Sequence, residues 1–101
     1  MDVSRFSVER RGNESRVELL VSGELDAHTA PQLEAHLQPG DSSPAIVLDL
    51  TDVEFIDSSG LGVIVAAHNS PDVGSLKVRG LSDRVRKVFE YAGLHEHLDI
   101  E

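Results

Sequence analysis

The sequence predicts one α/β domain over residues 1–101: a mixed β-sheet, opened by an N-terminal hairpin and continued by alternating helices and strands, with the helices packed on it. Three observations carry that prediction. Two segments near the N-terminus alternate apolar and polar residues around a turn; "AIVLDL" at 45–50 is a continuous apolar run; and "LSDRVRKVFEYAGL" at 81–94 has helical periodicity with a cap at each end.

Taken in order, Phe6 and Val8 alternate with polar neighbours, and so do Val17, Leu19 and Val21, as half-buried strands do. "RGNES" between them carries turn residues, so the two strands form a hairpin. In "HTAPQLEAHL", Thr29 and Gln32 have the spacing of a capping box and Pro31 stands in the first helical turn, where a missing N–H costs nothing. Leu33 and Leu37 then share one side of that helix, and "QPGDSSP" ends it. "AIVLDL" reads as a central strand covered on both faces. "LGVIVAA" suits a short helix, "SPDVGS" stops it, and "LKVRG" alternates again as a strand. In the last helix Ser82 caps the start and Val85, Val88, Phe89 and Ala92 form the buried stripe. Gly93 takes the left-handed terminal position, with Leu94 folding back onto Phe89.

Composition narrows the function. At 101 residues the chain has the size of one domain, and without cysteine it has no disulfide, zinc–thiolate or thiol chemistry. The longest apolar run, "GLGVIVAA", is far short of the ~20 residues that span a bilayer, and no basic leader precedes an apolar stretch, so a cytoplasmic location is expected. A net charge of −9 argues against direct nucleic-acid or anionic-membrane binding, both of which need basic residues, and favours protein partners. "HEH" at His95–His97 is not expected to hold a metal, since histidines two apart on a strand point to opposite sides. No cofactor is implied.

The chemistry concentrates in "DSSG", Asp57 to Gly60, where a strand end meets a helix start. Ser58 or Ser59 would be the N-cap, and Gly60 and Gly62 would leave the first turn bare for the close approach of another backbone. A cap, a nucleophile and a modification site all fit such a tetrapeptide. It is neither the Gly-x-Ser-x-Gly elbow of a hydrolase nor a phosphate-binding loop, which ends in Gly-Lys-Ser/Thr.

Three blocks in order, "VSGELDAHTAPQL", "IVLDLTDVEFIDSSGLGVI" and "RVRKVFEYAGL", resemble the STAS domains of bacterial anti-sigma factor antagonists over nearly the whole chain. The resemblance implies a partner switch without catalysis. The first serine of the motif, Ser58, would be phosphorylated by a serine kinase that is also the anti-sigma factor. The unmodified protein would bind that factor and free a sigma factor, and a serine phosphatase would reset the switch. The implied partner-binding residues are Asp26, Asp57, Ser58, Ser59, Gly60, Leu61 and Gly62. Two features depart from the family: "AAHNSPDVGS" cuts the helix after "DSSG" short with Pro71, and many relatives add a further helix beyond the position of Glu101. The alternative reading is a stand-alone STAS subunit of a lipid or anion transport complex, or a stressosome-type scaffold component.

Overall fold

The computed structural model describes residues 6–37 and 44–101. The "RGNES" turn does what its residues suggest. Asn13 Oδ1 accepts from the Ser15 N–H (2.9 Å), the Ser15 hydroxyl (2.9 Å) and the Arg16 N–H (3.0 Å), while Gly12 takes a φ of 107°. The turn joins β1 (Ser7–Gly12) to β2 (Arg16–Leu25) as an antiparallel hairpin, Ser7 opposite Ser22 and Gly12 opposite Val17. Three crossovers follow: α1 (Ala30–His36) to β3 (Ala45–Ile56), α2 (Ser58–His68) to β4 (Ser75–Arg79), and α3 (Asp83–Tyr91) to β5 (Asp99–Ile100). From β3 onward each strand runs parallel to the one before it, giving a five-stranded sheet in the order β1-β2-β3-β4-β5. The mixed sheet and its alternating helices are as the sequence predicts.

One face of the sheet is the core. Val17, Leu19, Val21 and Leu25 of β2, Ile46, Leu48 and Leu50 of β3, and Leu76 and Val78 of β4 join Leu33, Ile64, Val85 and Phe89 of the helices in a single buried cluster. The residues between them are half-exposed. The expectation that "AIVLDL" is covered on both faces is therefore corrected. Val47, half-buried, lies out of step with the core residues on either side of it, between its Cα partners Glu18 and Lys77. Beyond it Arg79 ties the three strands together, its Nη2 2.7 Å from Glu18 Oε2 and its Nε 3.0 Å from Asp49 Oδ2. Extents of 37 × 35 × 19 Å fit two layers.

β3 is longer than its apolar run. Leu20 pairs with Asp49 and Glu24 with Phe55, with register shifts on both sides of the Ser22–Asp52 and Gly23–Val53 pairs, so β3 uses two residues more than β2 over this stretch. Such bulges bend and twist a strand. They change the inward spacing from two to three, and Leu50, Val53 and Ile56 all reach the core.

Three local expectations are revised, and one strand is added. Thr29 and Gln32 form no capping box: Thr29 is only 5 % exposed, already helical in φ and ψ, and its hydroxyl donates to the Glu24 carbonyl at 2.7 Å. Ala92 is exposed as the C-cap of α3 instead of lying in its buried stripe. His95 lies in a 3-10 turn (Leu94–Glu96) with His97 just after it, not on a strand. The short final strand β5, parallel to β4, was not anticipated. Ser82 caps α3 through the Val85 N–H at 3.2 Å, Gly93 is left-handed, and Leu94 packs against the core that Phe89 fills, as expected. α1 ends at Leu37; "QPGDSSP", apart from Pro44, lies outside the described residues.

Candidate functional site

Two parallel strands end side by side, and each is followed at once by an aspartate that starts a helical segment. Leu25 of β2 pairs with Ile56 of β3, and the Asp57 N–H donates to the Leu25 carbonyl at 3.1 Å. Asp26 and Asp57 are thus neighbours at the C-terminal edge of the sheet. Asp26 Oδ1 accepts from the His28 N–H (2.9 Å) and the Thr29 N–H (3.1 Å). The Thr29 N–H above all holds the Asp26 carboxyl below its ordinary value; burial opposes this, and the His28 N–H and the Thr29 hydroxyl reinforce it.

Asp57, and neither serine, is the N-cap of α2. Its backbone is extended, and its Oδ1 accepts from the Ser59 N–H at 2.9 Å and the Gly60 N–H at 3.3 Å. A carboxylate reaches the N2 and N3 donors from this position as a serine hydroxyl would, and it complements the positive end of the helix dipole. The shift of one residue has a chemical consequence. Ser58 becomes the first helical residue, exposed, and its hydroxyl bonds to no group among the described residues.

The rest of the expected partner-binding set divides between surface and interior. Ser59 is half-buried and Gly62 is exposed, with nothing within 4 Å of where a Cβ would stand. Gly60 and Leu61 are buried. A Cβ on Gly60 would lie 2.7 Å from Leu25 Cγ and 2.9 Å from Ile56 Cγ1. The bare first turn therefore lets α2 press onto the ends of β2 and β3, and Gly60 and Leu61 can serve a partner only by positioning their neighbours.

The outer surface of α2 is unusual for a chain with 27 % charged residues. Ser58, Gly62 and Ala66 are exposed, Val63 and Val65 are half-exposed, and His68 at the end is the helix's only ionisable side chain. Around the head of this uncharged face stand Glu24, Asp26, Glu54 and Asp57, and from Val17 to Leu76 the chain has no Lys or Arg. Phe55, three residues before Ser58, is 42 % exposed, and no periodicity in the sequence marks it as a surface residue. Grooves of about 480 Å³ (Thr51, Asp52, Val53, Glu54, Ser82, Arg84) and 520 Å³ (between α1 and α2) do not include Ser58. Neither groove takes in any residue of "DSSG", of which Ser58 alone is exposed.

A family model described as "Mlab, STAS domain" matches residues 6–100. The chain is 40 % identical over 89 residues to an anti-sigma-B factor antagonist of Listeria monocytogenes, covering 84 % of this chain and 78 % of that one. Among solved structures it is similar to an anti-sigma factor antagonist from Mycobacterium paratuberculosis, with a TM-score of 0.83, 27 % identity and coverage of 96 % of this chain and 86 % of the other. It is also similar to the anti-sigma factor antagonist SpoIIAA in its unphosphorylated form, with a TM-score of 0.77, 25 % identity and coverage of 95 % and 87 %. The phosphorylated form of the Bacillus SpoIIAA matches with a TM-score of 0.67 at 25 % identity, covering 95 % and 90 %.

Proposed function

The chain belongs to the STAS domain family, and from that premise we propose that it is an anti-sigma factor antagonist switched by phosphorylation of Ser58. Unmodified, it binds an anti-sigma factor that is also a serine kinase, and so releases a sigma factor in the cytoplasm. Phosphorylation ends that binding, and a serine phosphatase restores it. The chain is a substrate and a binding partner with no catalysis of its own. The observation that carries the reading is the division of labour at the helix start: Asp57 does the capping, which leaves the exposed Ser58 hydroxyl unused at the head of an uncharged helix face. The relatives named as anti-sigma factor antagonists, and SpoIIAA known in two phosphorylation states, support it.

The electrostatics point to readout by the partner. A phosphate on Ser58 adds about −1.5 to −2 charges. The Ser59 and Gly60 N–H groups are already held by Asp57, and α2 itself carries no Lys or Arg to pair with the new charge. The fold therefore gains little from the phosphate through the helix that bears it. A partner seated on Ser58 must bury it or leave, and a misplaced charge at an interface costs several kcal/mol; about 4 kcal/mol is roughly a thousandfold in affinity.

The test screens purified anti-sigma factors of the host for binding to the wild-type chain. With the one retained, Ser58→Ala should bind and resist phosphorylation, whereas Ser58→Asp should melt like wild type and bind at least a hundredfold more weakly. Mass spectrometry of the kinase-treated protein should place the phosphate on Ser58. Modification of Ser59, or tight binding by Ser58→Asp, would overturn the switch. Co-purification with an ATPase or permease and with no kinase would make the chain a transport-complex subunit instead.

A further inference from the structure

We propose that Phe55 is the apolar anchor of this interface, and that the partner receives it in an apolar pocket bordered by lysine or arginine. The inference rests on the Ser58 reading and adds the contact that fixes where the partner sits.

The exposure of Phe55 follows from the backbone. The two bulges of β3 turn Val53 and Ile56 into the core, and the aromatic ring between them is left at the surface, 42 % exposed. A strand position that faces water is filled as well by threonine, which suits a strand and leaves no apolar ring in solvent. Apolar surface of this kind gains in proportion to the area a partner covers, and large side chains in desolvated pockets supply much of the energy of protein interfaces.

Its position ties the ring to the switch. Phe55 pairs with Glu24, the next pair is Leu25 with Ile56, and the strands then run out into Asp26 and Asp57. A body that covers Ser58 at these strand ends reaches Phe55 as well. The surroundings specify that body. Glu24 and Glu54 make no side-chain hydrogen bond or ion pair among the described residues, and Asp26 and Asp57 stand at the strand ends; against these four carboxylates the groove beside Glu54 brings one exposed cation, Arg84 of α3, so the rim stays acidic on balance. A second copy of the chain docked on the same surface would set these carboxylates against their own counterparts, and nucleic acid would set phosphates against them. A basic protein surface alone matches both the ring and its rim.

The experiment measures affinity for the anti-sigma factor that wild type retains, with thermal melting of each variant alongside. Phe55→Ala should weaken binding at least tenfold with little change in melting temperature, Phe55→Leu should keep most of the affinity, and Glu24→Lys should slow association. Should Phe55→Ala melt early, the wild-type protein decides: the Phe55 ring resonances must shift and become shielded from a soluble paramagnetic probe when the partner is added. Binding by Phe55→Ala within twofold of wild type, or a ring left unshielded, overturns the anchor. If Ser58→Asp loses binding in the same experiment, the switch stands without it. If Ser58→Asp binds like wild type, the switch itself has failed.

Discussion

A methyl group on Gly60 would stand 2.7 Å from Leu25 Cγ, 2.9 Å from Ile56 Cγ1 and 3.0 Å from the Leu25 carbonyl oxygen. Leu25 and Ile56 are themselves buried and cannot retreat, so Gly60→Ala should cost about 1–3 kcal/mol. Gly62, two residues on, faces open space, and alanine is favoured over glycine in a helix by about 1 kcal/mol. Gly62→Ala should therefore raise the melting temperature while Gly60→Ala lowers it, and calorimetric melting of the two reads this directly. A Gly60→Ala protein as stable as wild type would mean that α2 is not pressed against the strand ends. The sequence shows that something happens at "DSSG", but not which residue caps. Aspartate and serine are about equally good N-caps, and the choice depends on where β3 stops. Nor does it show which side of the first turn faces inward, and so Gly60 and Leu61 read as surface when they are interior.

β3 shows how far an element can be read before its period breaks. "AIVLDL" is legible because period two holds to Leu50; past the bulges the inward residues come every third position, and Phe55 loses its signature. α3 is legible throughout, since a nine-residue amphipathic helix with a serine cap repeats its signal in every turn. β5, two residues long, has no period to read. The outward face of β3 also carries a pH dependence. Burial pushes the Asp49 carboxyl up, but hydrogen bonds from the Thr51 hydroxyl (2.6 Å) and N–H (3.0 Å), and the bond and charge of Arg79, outweigh it and hold the group below its ordinary 3.8. A carboxyl with a depressed folded pKa contributes stability that is complete above its unfolded pKa and is lost as pH falls through the folded one. Stability to urea should therefore decline as pH drops below about 4, and Asp49→Asn should flatten that decline. Asp26, also held down, acts in the same window and accounts for part of the slope left in the variant. An unaltered slope in Asp49→Asn would remove Asp49 from the account.

At the scale of the whole molecule the charges are segregated: −9 overall, with every Lys and Arg at or before Arg16 or at or after Lys77. Ser58, the proposed switch, lies in the stretch of sequence without cations. Association with a basic anti-sigma factor should then be steered electrostatically, with a rate constant that falls about tenfold or more between low salt and about 0.5 M. Stopped-flow mixing across that range tests this, and a rate indifferent to salt would rule out a basic partner surface. The fold class, the single domain and the acidic balance were all legible at this scale. The bare outer face of the sheet was not, because Ala45 and Val47 look like core residues until Glu18 and Lys77 are seen beside Val47.

The strands lie across the sheet in the order in which they occur along the chain. No strand is inserted later between two that have already met. During synthesis each new segment therefore finds its neighbour finished, and the nascent chain never holds a gap open for residues still to be made. The pairing of β2 with β3 that sets Asp26 beside Asp57 is complete before Ser75, the first residue of β4, is needed. The "DSSG" loop therefore rests on a strand pairing that needs no residue beyond Ile56, within a domain that folds as a unit.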